Sequence, residues 1–533
     1  MKSKNFIKDV NPLTLSEGLT LFPAPDHDKV QILRPFAIFS VSSYSAPVTM
    51  PIGPAYLAAV LERAGYQVNI IDGIGEGILN IRLSECGLYK LQGLTTQEFL
   101  DRIDPDTRVL GISLMFSQDW LCHRKLINAI AEKYPDITIV VGGEHPTAVP
   151  EYLLRDCSNI DYIIAGEGEM AFLEFLHKHL TGANAAMNPG VFSLDKDGNL
   201  INTGSGRRIK DSQNLPHPAW HLCDIEKFFT GMWTMGIGFG RNMPIIATRG
   251  CPYQCTFCSS PSMWTTRYIM RPPSDVVDEI EFLIGRYGAN SIDFADLTAI
   301  VKKGWVLEFC NEIKRRNLHF TWQLPSGTRS EALDKEALEV MYTTGCRFLV
   351  YAPESGAPET LEGIKKKLRL DRMIVSIRNA VRAKHTVKVN YIIGFPDETR
   401  RLMLQTVWAN IRMAFLGVTD SNISVFSPYP GSEIFNELRN DGTIPDLDDA
   451  YFHNLLVQFD FTRLVSVCRH VPGWEIAFYR FISMSAFYIL AYLLYPSRIW
   501  SLLKGLTRQD FQANSLFEQR IYDYIKRARL NKA

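Results

Sequence analysis

The chain has 533 residues, and its 57 basic and 57 acidic side chains give a formal net charge of zero at pH 7. This neutrality excludes a global electrostatic attraction to nucleic acid, so no nucleic-acid partner is expected. The length predicts about two to four domains, and an apolar content of 46% with 21% charged residues excludes an intrinsically disordered chain.

The amino-terminal third alternates strand and helix patterns. Residues 1–34 are interpreted as an extension without the apolar core of a secretory signal. In residues 35–182, strands are predicted at 35–42, 66–72, 108–114, 137–142 and 162–165, with helices at 53–64, 122–134 and 169–180. This alternation predicts an α/β fold with a doubly wound parallel sheet, whose ligands bind outside the carboxyl ends of the strands.

Glycines follow two of these predicted strands. Gly142 and Gly143 come after the fourth strand, and Gly166-Glu167-Gly168 follows the fifth. Glycine lets the backbone approach a large ligand closely, so both turns are candidate binding segments.

The remainder of the chain divides into three parts. Residues 183–240 are rich in glycine, asparagine and proline and are interpreted as a linker. From 241 to 450, six strand-then-helix units without a clear seventh predict a partial (β/α)6 barrel of the TIM type. Its strands are predicted near 244–249, 291–296, 319–324, 347–352, 387–393 and 422–427. The aromatic-rich residues 451–533 predict a helical carboxyl-terminal region.

Two stretches are interpreted as structural. The longest uncharged stretch, 481–495, is shorter than the roughly 18–20 residues that span a bilayer. A helix packed on the protein body is therefore favoured over membrane association through an interfacial helix. The basic run at 365–367 is interpreted as a solvated loop rather than a phosphate site.

Three cysteines, Cys251, Cys255 and Cys258, follow the first strand of the predicted barrel with the spacing Cys-x3-Cys-x2-Cys. Three thiolates can hold one inorganic centre, and an iron–sulfur cluster with three protein ligands keeps one iron open for a second molecule. Structural zinc and a disulfide framework are the alternatives. Zinc usually needs a further ligand pair, which does not follow Cys258, and the other seven cysteines are scattered singly.

Polar and glycine residues recur at the ends of other barrel strands. Asp296 ends the second strand, Glu354 and Ser355 follow the fourth, Gly394 follows the fifth and Pro430 the sixth. Because the carboxyl ends of barrel strands meet at one edge, we expect these residues to form a polar basin around the cysteine loop and to bind a cofactor there.

The cysteine spacing, with Phe257 directly before the last cysteine, resembles the signature of the radical S-adenosylmethionine superfamily. The resemblance covers about residues 244–440. It implies a [4Fe–4S] cluster on the three cysteines, with the open iron bound by the amine and carboxylate of S-adenosylmethionine. It also implies that Phe257 lies near the adenine, and that Glu354 and the segment at Gly394 touch ribose, methionine or adenine.

The preceding domain resembles the cobalamin-binding domain of the vitamin B12-dependent class of this superfamily. The similarity rests on segments 51–59, 141–147 and 166–169. This class contains carbon methyltransferases, including the fosfomycin-pathway methylase, and the anaerobic cyclase of magnesium-protoporphyrin monomethyl ester. The resemblance implies that cobalamin is contacted by Gly142, Gly143, His145, Gly166, Glu167 and Gly168.

One departure concerns the lower ligand of cobalt. Many cobalamin domains place an Asp-x-His-x-x-Gly motif after the first strand, and its histidine binds cobalt. Here the loop 43–50 contains no histidine, so histidine-off cobalamin is expected. His145 is predicted to hydrogen-bond the cobalamin edge rather than cobalt, and His123 is predicted to lie on a helix surface.

The resemblance implies an enzyme that methylates an unactivated carbon of a small-molecule substrate, either a secondary metabolite or lipid-like. Hydrogen removal from such a carbon lies beyond ordinary acid–base side chains, so the cofactors carry the chemistry and no catalytic side chain is assigned. A non-methylating oxidative cyclase or rearrangement enzyme is the alternative, and a non-catalytic cobalamin or cluster sensor is a weaker one. Flavodoxin or ferredoxin is the expected electron donor, and the unpaired thiols predict a cytoplasmic protein.

Overall fold

A computed structural model of the chain describes residues 13–25, 29–41, 43, 48–204, 206–444, 446–457, 465–507 and 512–530. The described residues form an amino-terminal α/β domain, a second α/β domain that we call the barrel domain, and a carboxyl-terminal set of helices.

The amino-terminal domain is built on a seven-stranded sheet. Its parallel strands, numbered along the chain, lie in the order 2-1-3-4-5, which confirms the predicted doubly wound sheet. Two antiparallel strands from the predicted linker extend it beyond the fifth. The parallel strands are Lys29–Arg34, Gln67–Asp72, Val109–Ser113, Thr138–Gly142 and Tyr162–Ile164, and the antiparallel strands are Val191–Leu194 and Leu200–Asn202.

The first strand of this sheet differs from the prediction. Lys29–Arg34 lies inside the predicted extension, whereas Ala37–Ser40, from the predicted strand at 35–42, pairs with Tyr89–Gln92 in a separate antiparallel sheet completed by Ile81–Leu83. Pro35 separates the two strands, and because proline has no N–H to donate it interrupts the ladder at this point.

Helices cover both faces of the seven-stranded sheet. Alternate strand residues point to opposite faces, so Ile32 belongs to the core on one side and Leu33 to the core on the other. The helices on the first side include Ile52–Arg63 and Gly168–Leu180, and those on the second include Trp120–Lys133 and Pro150–Asp156. Shorter helices are Leu15–Leu21, Gly73–Glu76, Thr96–Leu100, Glu144–Ala148 and Ile225–Gly231.

The barrel domain has six parallel strands that neighbour each other in chain order, which confirms the predicted partial (β/α)6 barrel. The strands are Asn242–Ile245, Ser291–Phe294, Thr321–Thr328, Cys346–Glu354, Thr386–Ile393 and Asp420–Val425. The main helices after them are Pro273–Tyr287, Lys303–Arg315, Lys335–Thr343, Leu370–Arg382, Arg400–Phe415 and Glu433–Asn440, with the shorter Ser260–Trp264 and Pro358–Gly363.

The carboxyl-terminal helices attach to both domains. Phe452 and Leu455 join the core of the amino-terminal domain, and the last helix packs through Leu516 and Tyr522 in a cluster with Phe348 of the barrel domain. The second of these helices has 22 residues and is long and apolar enough to cross a membrane, although 28% of its apolar stretch is buried. It is longer than the uncharged stretch predicted at 481–495. The helices are Asp449–Val457, Gly473–Leu494, Ser497–Thr507 and Leu516–Leu530.

Candidate cofactor site between the two domains

The cysteine loop leaves the first barrel strand through a short ribbon, in which Thr248–Arg249 pairs with Ile269–Met270. Asp296 fixes the start of this loop. Its carboxylate accepts hydrogen bonds from the Ala247 N–H at 3.2 Å, from the Thr248 hydroxyl at 2.6 Å and from the Thr248 N–H. Burial raises the pKa of Asp296 to about 6. The carboxylate of Asp296 thus holds the start of the cysteine loop, and its contact with a cofactor stays a prediction.

Cys251, Cys255 and Cys258 are half-buried on this loop. Thr256, which follows Cys255, fixes the middle of the loop. Its N–H donates to the Ile364 carbonyl and its carbonyl accepts from the Ile434 N–H, each at 3.0 Å. Burial raises the pKa of Cys258 to about 11 and also raises that of Cys255. Both are therefore thiols at neutral pH, and cluster binding must displace their protons.

The donor set suits a cluster better than a single ion. Within the described part of the chain, no three His, Cys, Asp or Glu side chains converge on one metal position. Zinc needs its ligands on one tetrahedron, whereas each cysteine of a four-iron cluster binds a different iron. Three separated cysteines on one loop therefore fit the [4Fe–4S] cluster.

Two cations stand beside the loop. Lys366 donates to Glu354 at 2.8 Å, with both side chains buried, and the Arg329 guanidinium lies 3.6 Å from the centre of the Tyr253 ring. Burial raises the pKa of Cys255, and Lys366 opposes this rise. The prediction of a solvated loop at 365–367 is wrong for Lys366, because its side chain is only 11% exposed and pairs with Glu354 beside the cysteine loop.

Glu354 has the unusual backbone angle φ of +64°. Side chains with a Cβ rarely adopt this left-handed conformation, which costs about 1–3 kcal/mol and persists where surrounding contacts impose it. Here the Lys366 ion pair holds the carboxylate at the end of the fourth barrel strand. Glu354 therefore lies beside the cysteine loop, where the sequence placed it.

Phe257 and the turn at Gly394 come together as expected. The Phe257 ring packs on Phe395, with centroids 5.9 Å apart. Gly394 has φ of +90°, and its N–H donates to Glu398 at 2.7 Å, while the Phe395 N–H donates to the same carboxylate at 3.3 Å. Burial raises the pKa of Glu398 to about 7. Sequence reasoning missed Glu398, although an acid four residues after a strand-end glycine is a signal for such a turn.

A Glu398→Gln substitution should remove a pH dependence of stability. The pKa of Glu398 is higher in the folded than in the unfolded protein, so protonation of Glu398 stabilises the native state. This contribution to stability is complete below about pH 4.5 and is lost as the pH rises through about 7. The wild type should lose up to about 3 kcal/mol relative to the variant over this range. The melting temperature of the variant, relative to that of the wild type, should therefore be higher at pH 8 than at pH 5. The exposed Glu151→Gln is the control, and an equal wild-type-to-Glu398→Gln difference at both pH values would contradict the prediction.

Two residues that were predicted to contact a cofactor, Ser355 and Pro430, have packing roles in the structure, and their contact with a cofactor stays a prediction. The Ser355 hydroxyl pairs with Thr406 at 2.9 Å and accepts from the Ala357 N–H at 3.1 Å, so it anchors a barrel helix. Pro430 is buried. The neighbouring Gly431 lies against the amino-terminal domain, where an added Cβ would come within 3.0 Å of Ala148.

The helix that follows the cysteines docks on the amino-terminal domain. Ser260–Trp264 packs against Glu144–Ala148, and the Ser259 hydroxyl donates to Glu144. Arg208 donates to the Trp264 carbonyl at 2.7 Å. The cysteine loop is thereby held directly at the carboxyl edge of the seven-stranded sheet.

A buried ion network joins the two domains behind this contact. Glu167 accepts from Arg249 at 3.0 Å and from Arg208 at 3.3 Å, and Arg249 also donates to Glu169 at 2.6 Å. All four side chains are at most 9% exposed. Glu167 was predicted to contact cobalamin, but both of its oxygens bind arginine. It ties the fifth strand of the sheet to a residue two positions before Cys251.

The carboxyl edge of the sheet carries two glycine turns and exposed apolar side chains. Gly143 has φ of +116°, and its backbone packs closely on that of Leu114, because a Cβ there would lie 2.5 Å from the Leu114 carbonyl oxygen. Gly166, with φ of +85°, lines a small cavity that reaches Met263 of the barrel domain. At the switch point between the first and third strands, Met115 and Phe116 are about half exposed. A glycine-lined edge with exposed apolar side chains fits the flat face of a corrin.

The remaining predicted glycines differ in role. Gly142 ends the fourth strand at the same edge, where an added Cβ would have ordinary contact distance to the Ile164 carbonyl. Gly168 instead begins a helix that packs closely on Leu57, 3.0 Å from the position of an added Cβ. Gly168 therefore serves helix packing, and its contact with cobalamin stays a prediction.

His145 lies in the core beneath this edge. Its Nδ1 pairs with the Ser117 hydroxyl at 2.9 Å, and its ring lies between Trp120 and Phe452. Burial lowers the pKa of His145 to about 3. Its Nε2 is buried and has no hydrogen-bond partner among the described residues, and the hydrogen bond to cobalamin stays a prediction. His123 is also buried, with Nε2 at 3.0 Å from the Phe36 carbonyl, so the prediction of a surface position is wrong.

The loop at 43–50, on which the histidine-off prediction depends, is described only in part. Residues 44–47 lie outside the described residues. The absence of a lower histidine ligand therefore stays a prediction from the sequence.

Comparison with known proteins matches both domains. Residues 43–176 match the B12 binding domain, and residues 245–407 match the radical SAM superfamily. The chain is 29% identical to the cytidylyl-2-hydroxyethylphosphonate methyltransferase of Streptomyces wedmorensis, over 80% of this chain and 84% of that protein. It is 26% identical to the anaerobic magnesium-protoporphyrin IX monomethyl ester cyclase of Rubrivivax gelatinosus, over 75% of this chain and 68% of the cyclase.

A solved structure has the same overall fold. The radical S-adenosylmethionine methyltransferase TsrM of Kitasatospora setae, with cobalamin and a [4Fe–4S] cluster bound, superposes with a TM-score of 0.65. The alignment covers 94% of this chain and 99% of TsrM at 18% sequence identity.

Proposed function

Because the chain belongs to the cobalamin-dependent radical S-adenosylmethionine enzymes, we propose that it methylates an unactivated carbon of a small-molecule substrate. One observation carries this proposal: the helix Ser260–Trp264, which directly follows the cysteines, docks on the carboxyl edge of the amino-terminal sheet. A radical source and a methyl donor must reach the same substrate carbon, and this contact brings their two binding regions together.

The residues divide between the groups they would hold. Cys251, Cys255 and Cys258 hold the [4Fe–4S] cluster, while Gly143 and Gly166 line the edge for histidine-off cobalamin. When bound, the cluster and S-adenosylmethionine supply radical chemistry at carbon, and cobalamin carries the transferable methyl group. The protein's own contribution is to position these groups and to exclude water between the domains.

We assign Lys366 and Arg329 to the carboxylate of S-adenosylmethionine. Both lie beside Cys255, where their positive charges oppose the rise of its thiol pKa. Glu354, paired with Lys366, is the acceptor available for an amine or a ribose hydroxyl. Phe257 and the Gly394 turn remain the proposed neighbours of adenine.

A Lys366→Met substitution should weaken S-adenosylmethionine binding and leave the cluster intact. Loss of one charge-assisted hydrogen bond costs about 1.5–3 kcal/mol, which corresponds to about ten- to hundred-fold in Kd. Equilibrium dialysis with labelled S-adenosylmethionine measures the change, and iron content checks the cluster. Lys365→Met is the matched control, because Lys365 is exposed and pairs with Glu433. Equal affinity in the two variants would rule out the assigned role.

The electron donor and the compartment are also proposals. All ten cysteines are unpaired thiols, which supports a reducing compartment such as the cytoplasm. A flavodoxin or ferredoxin of that compartment is the proposed source of electrons for the cluster.

The test is methyl transfer by anaerobically reconstituted enzyme. With S-adenosylmethionine carrying a deuterated methyl group, product mass should show the label, and 5′-deoxyadenosine should accumulate. A product that is oxidised or rearranged without label would favour a cyclase-like reaction instead. Failure to form 5′-deoxyadenosine with both centres loaded would favour a sensor. The Cys251→Ala variant provides the background for each readout.

A further inference from the structure

Three neighbouring helices expose a large apolar surface, which we call the outer apolar face. Monomeric proteins rarely expose contiguous apolar patches beyond a few hundred Å², and larger ones mark interaction sites. The face comprises Leu404, Trp408 and Phe415 of the helix Arg400–Phe415, Trp474, Phe478, Phe481, Ile489 and Leu493 of Gly473–Leu494, and Ile499, Trp500 and Leu503 of Ser497–Thr507.

The distribution of tryptophan singles out this face. Of the nine tryptophans in the chain, three are exposed, and all three lie here: Trp408 at 61%, Trp474 at 74% and Trp500 at 69%. The other six are buried or half-buried. Tryptophan combines an apolar ring with one N–H donor, and it is enriched where membrane hydrocarbon meets water.

The helices lie along the surface of the barrel domain. Arg400 pairs with Glu475 at 2.8 Å, and the Asn410 amide donates to the Ser483 hydroxyl at 3.1 Å, so two of the helices run side by side. Residues on the inner side of Gly473–Leu494, such as Phe487, are buried. Crossing a bilayer would require this helix to leave the barrel domain. Its exposed side is therefore placed to lie on a membrane, not across it.

Charge identifies the kind of surface. The exposed basic residues of the three helices are Arg400, Arg401, Arg412 and Lys504, and the one acidic residue is Glu475, which pairs with Arg400, although the whole chain is neutral. On the first helix, Arg401 and Arg412 lie on the same face as the exposed Leu404, Trp408 and Phe415, because these positions follow one another at intervals of three or four residues. Arg401 also pairs with Glu359 at 3.5 Å, with both side chains exposed. Two copies of this face would bring like charges together, whereas anionic headgroups would attract it.

We propose that the outer apolar face docks the enzyme on the surface of an anionic lipid bilayer. Trp408, Trp474 and Trp500 enter the interfacial layer, and Arg401 and Arg412 meet the headgroups. This goes beyond the proposed methyl transfer and does not depend on it. The sequence favoured a helix packed on the protein body over an interfacial helix. In this proposal Gly473–Leu494 is both, because one of its faces packs on the barrel domain and the other contacts the membrane.

Co-sedimentation of the full-length holoenzyme with vesicles tests the proposal. Wild-type protein should pellet with vesicles of phosphatidylcholine and phosphatidylglycerol, more weakly with phosphatidylcholine alone, and less as salt rises. Its tryptophan emission should shift to shorter wavelength on binding. The Trp408→Ser/Trp474→Ser/Trp500→Ser variant should bind at least about ten-fold more weakly, because it lacks the three aromatic side chains that enter the bilayer surface.

The matched control changes three exposed apolar residues elsewhere: Leu21→Ser, Leu83→Ser and Met187→Ser. It should bind like the wild type, while Arg401→Gln/Arg412→Gln should lose the preference for anionic vesicles. The proposal is overturned if wild type stays in the supernatant with both vesicle types, or if the triple tryptophan variant binds equally well. A tryptophan-dependent dimer without lipid would likewise overturn it in favour of a second copy.

Discussion

Replacing Cys251, Cys255 or Cys258 by alanine is expected to abolish cluster binding and reduce 5′-deoxyadenosine formation to background. Each thiolate would hold one corner of the cluster, and a four-iron cluster bound through only two cysteines lacks a protein ligand that it needs. Two remaining ligands leave two irons open, so the cluster is lost rather than weakened. Iron and sulfide analysis of anaerobically purified protein measures the first effect, and chromatography of the nucleoside measures the second.

The fold should survive these changes, which makes the result interpretable. The loop is held by the Asp296 hydrogen bonds and by the backbone bonds of Thr256, not by the thiols. Melting temperatures of the apoproteins should therefore agree with that of wild-type apoprotein. Cys86→Ala, at an exposed position in the amino-terminal domain, should keep full iron content and activity. Stoichiometric zinc at the three cysteines, or turnover in the variants, would refute the cluster assignment.

Arg249→Met is expected to destabilise the protein by about 3–5 kcal/mol. The substitution leaves Glu167 and Glu169 buried with one partner fewer, and an uncompensated buried carboxylate is far more costly than the ion pair is favourable. Because Arg249 stands between the amino-terminal sheet and the cysteine loop, the domain contact should loosen as well. Differential scanning calorimetry should show a lower melting temperature, and limited proteolysis should cut faster between the domains.

Two further variants isolate the electrostatic cause. Combining Arg249→Met with Glu169→Gln removes the carboxylate that loses its arginine, while Glu167 keeps its pair with Arg208, and should recover part of the lost stability. Arg155→Met breaks an exposed pair with Glu151 and should change stability by less than about 0.5 kcal/mol. If Arg249→Met and Arg155→Met melt at the same temperature, the buried network does not hold the domains together.

The barrel domain illustrates how far local pattern reaches. Its strand Thr386–Ile393 was predicted at nearly the same bounds, because the alternation of buried and half-buried positions is encoded within one short segment. The amino-terminal domain illustrates the limit. Lys29–Arg34 and Ala37–Ser40 are both short apolar runs, and pairing partners many residues away decide which of them enters the large sheet.

In the candidate site, too, local sequence predicts some residues and distant contacts decide the role of others. The cysteine spacing predicts the cluster loop without any structure, since ligands within eight residues must lie near each other. Glu167 looked like a ligand contact and Lys366 like a surface charge, yet their partners Arg249 and Glu354 are 82 and 12 residues away.

The sequence by itself determined the two α/β domains and their order and predicted the three cluster ligands, because hydrophobic periodicity and ligand spacing are properties of neighbouring residues. Only the tertiary structure decided which polar side chains face the cofactors and which hold the domains together, and which side of the aromatic helix is exposed. Those outcomes depend on burial and on long-range pairing, since a charge is stable in the interior only where a distant partner meets it.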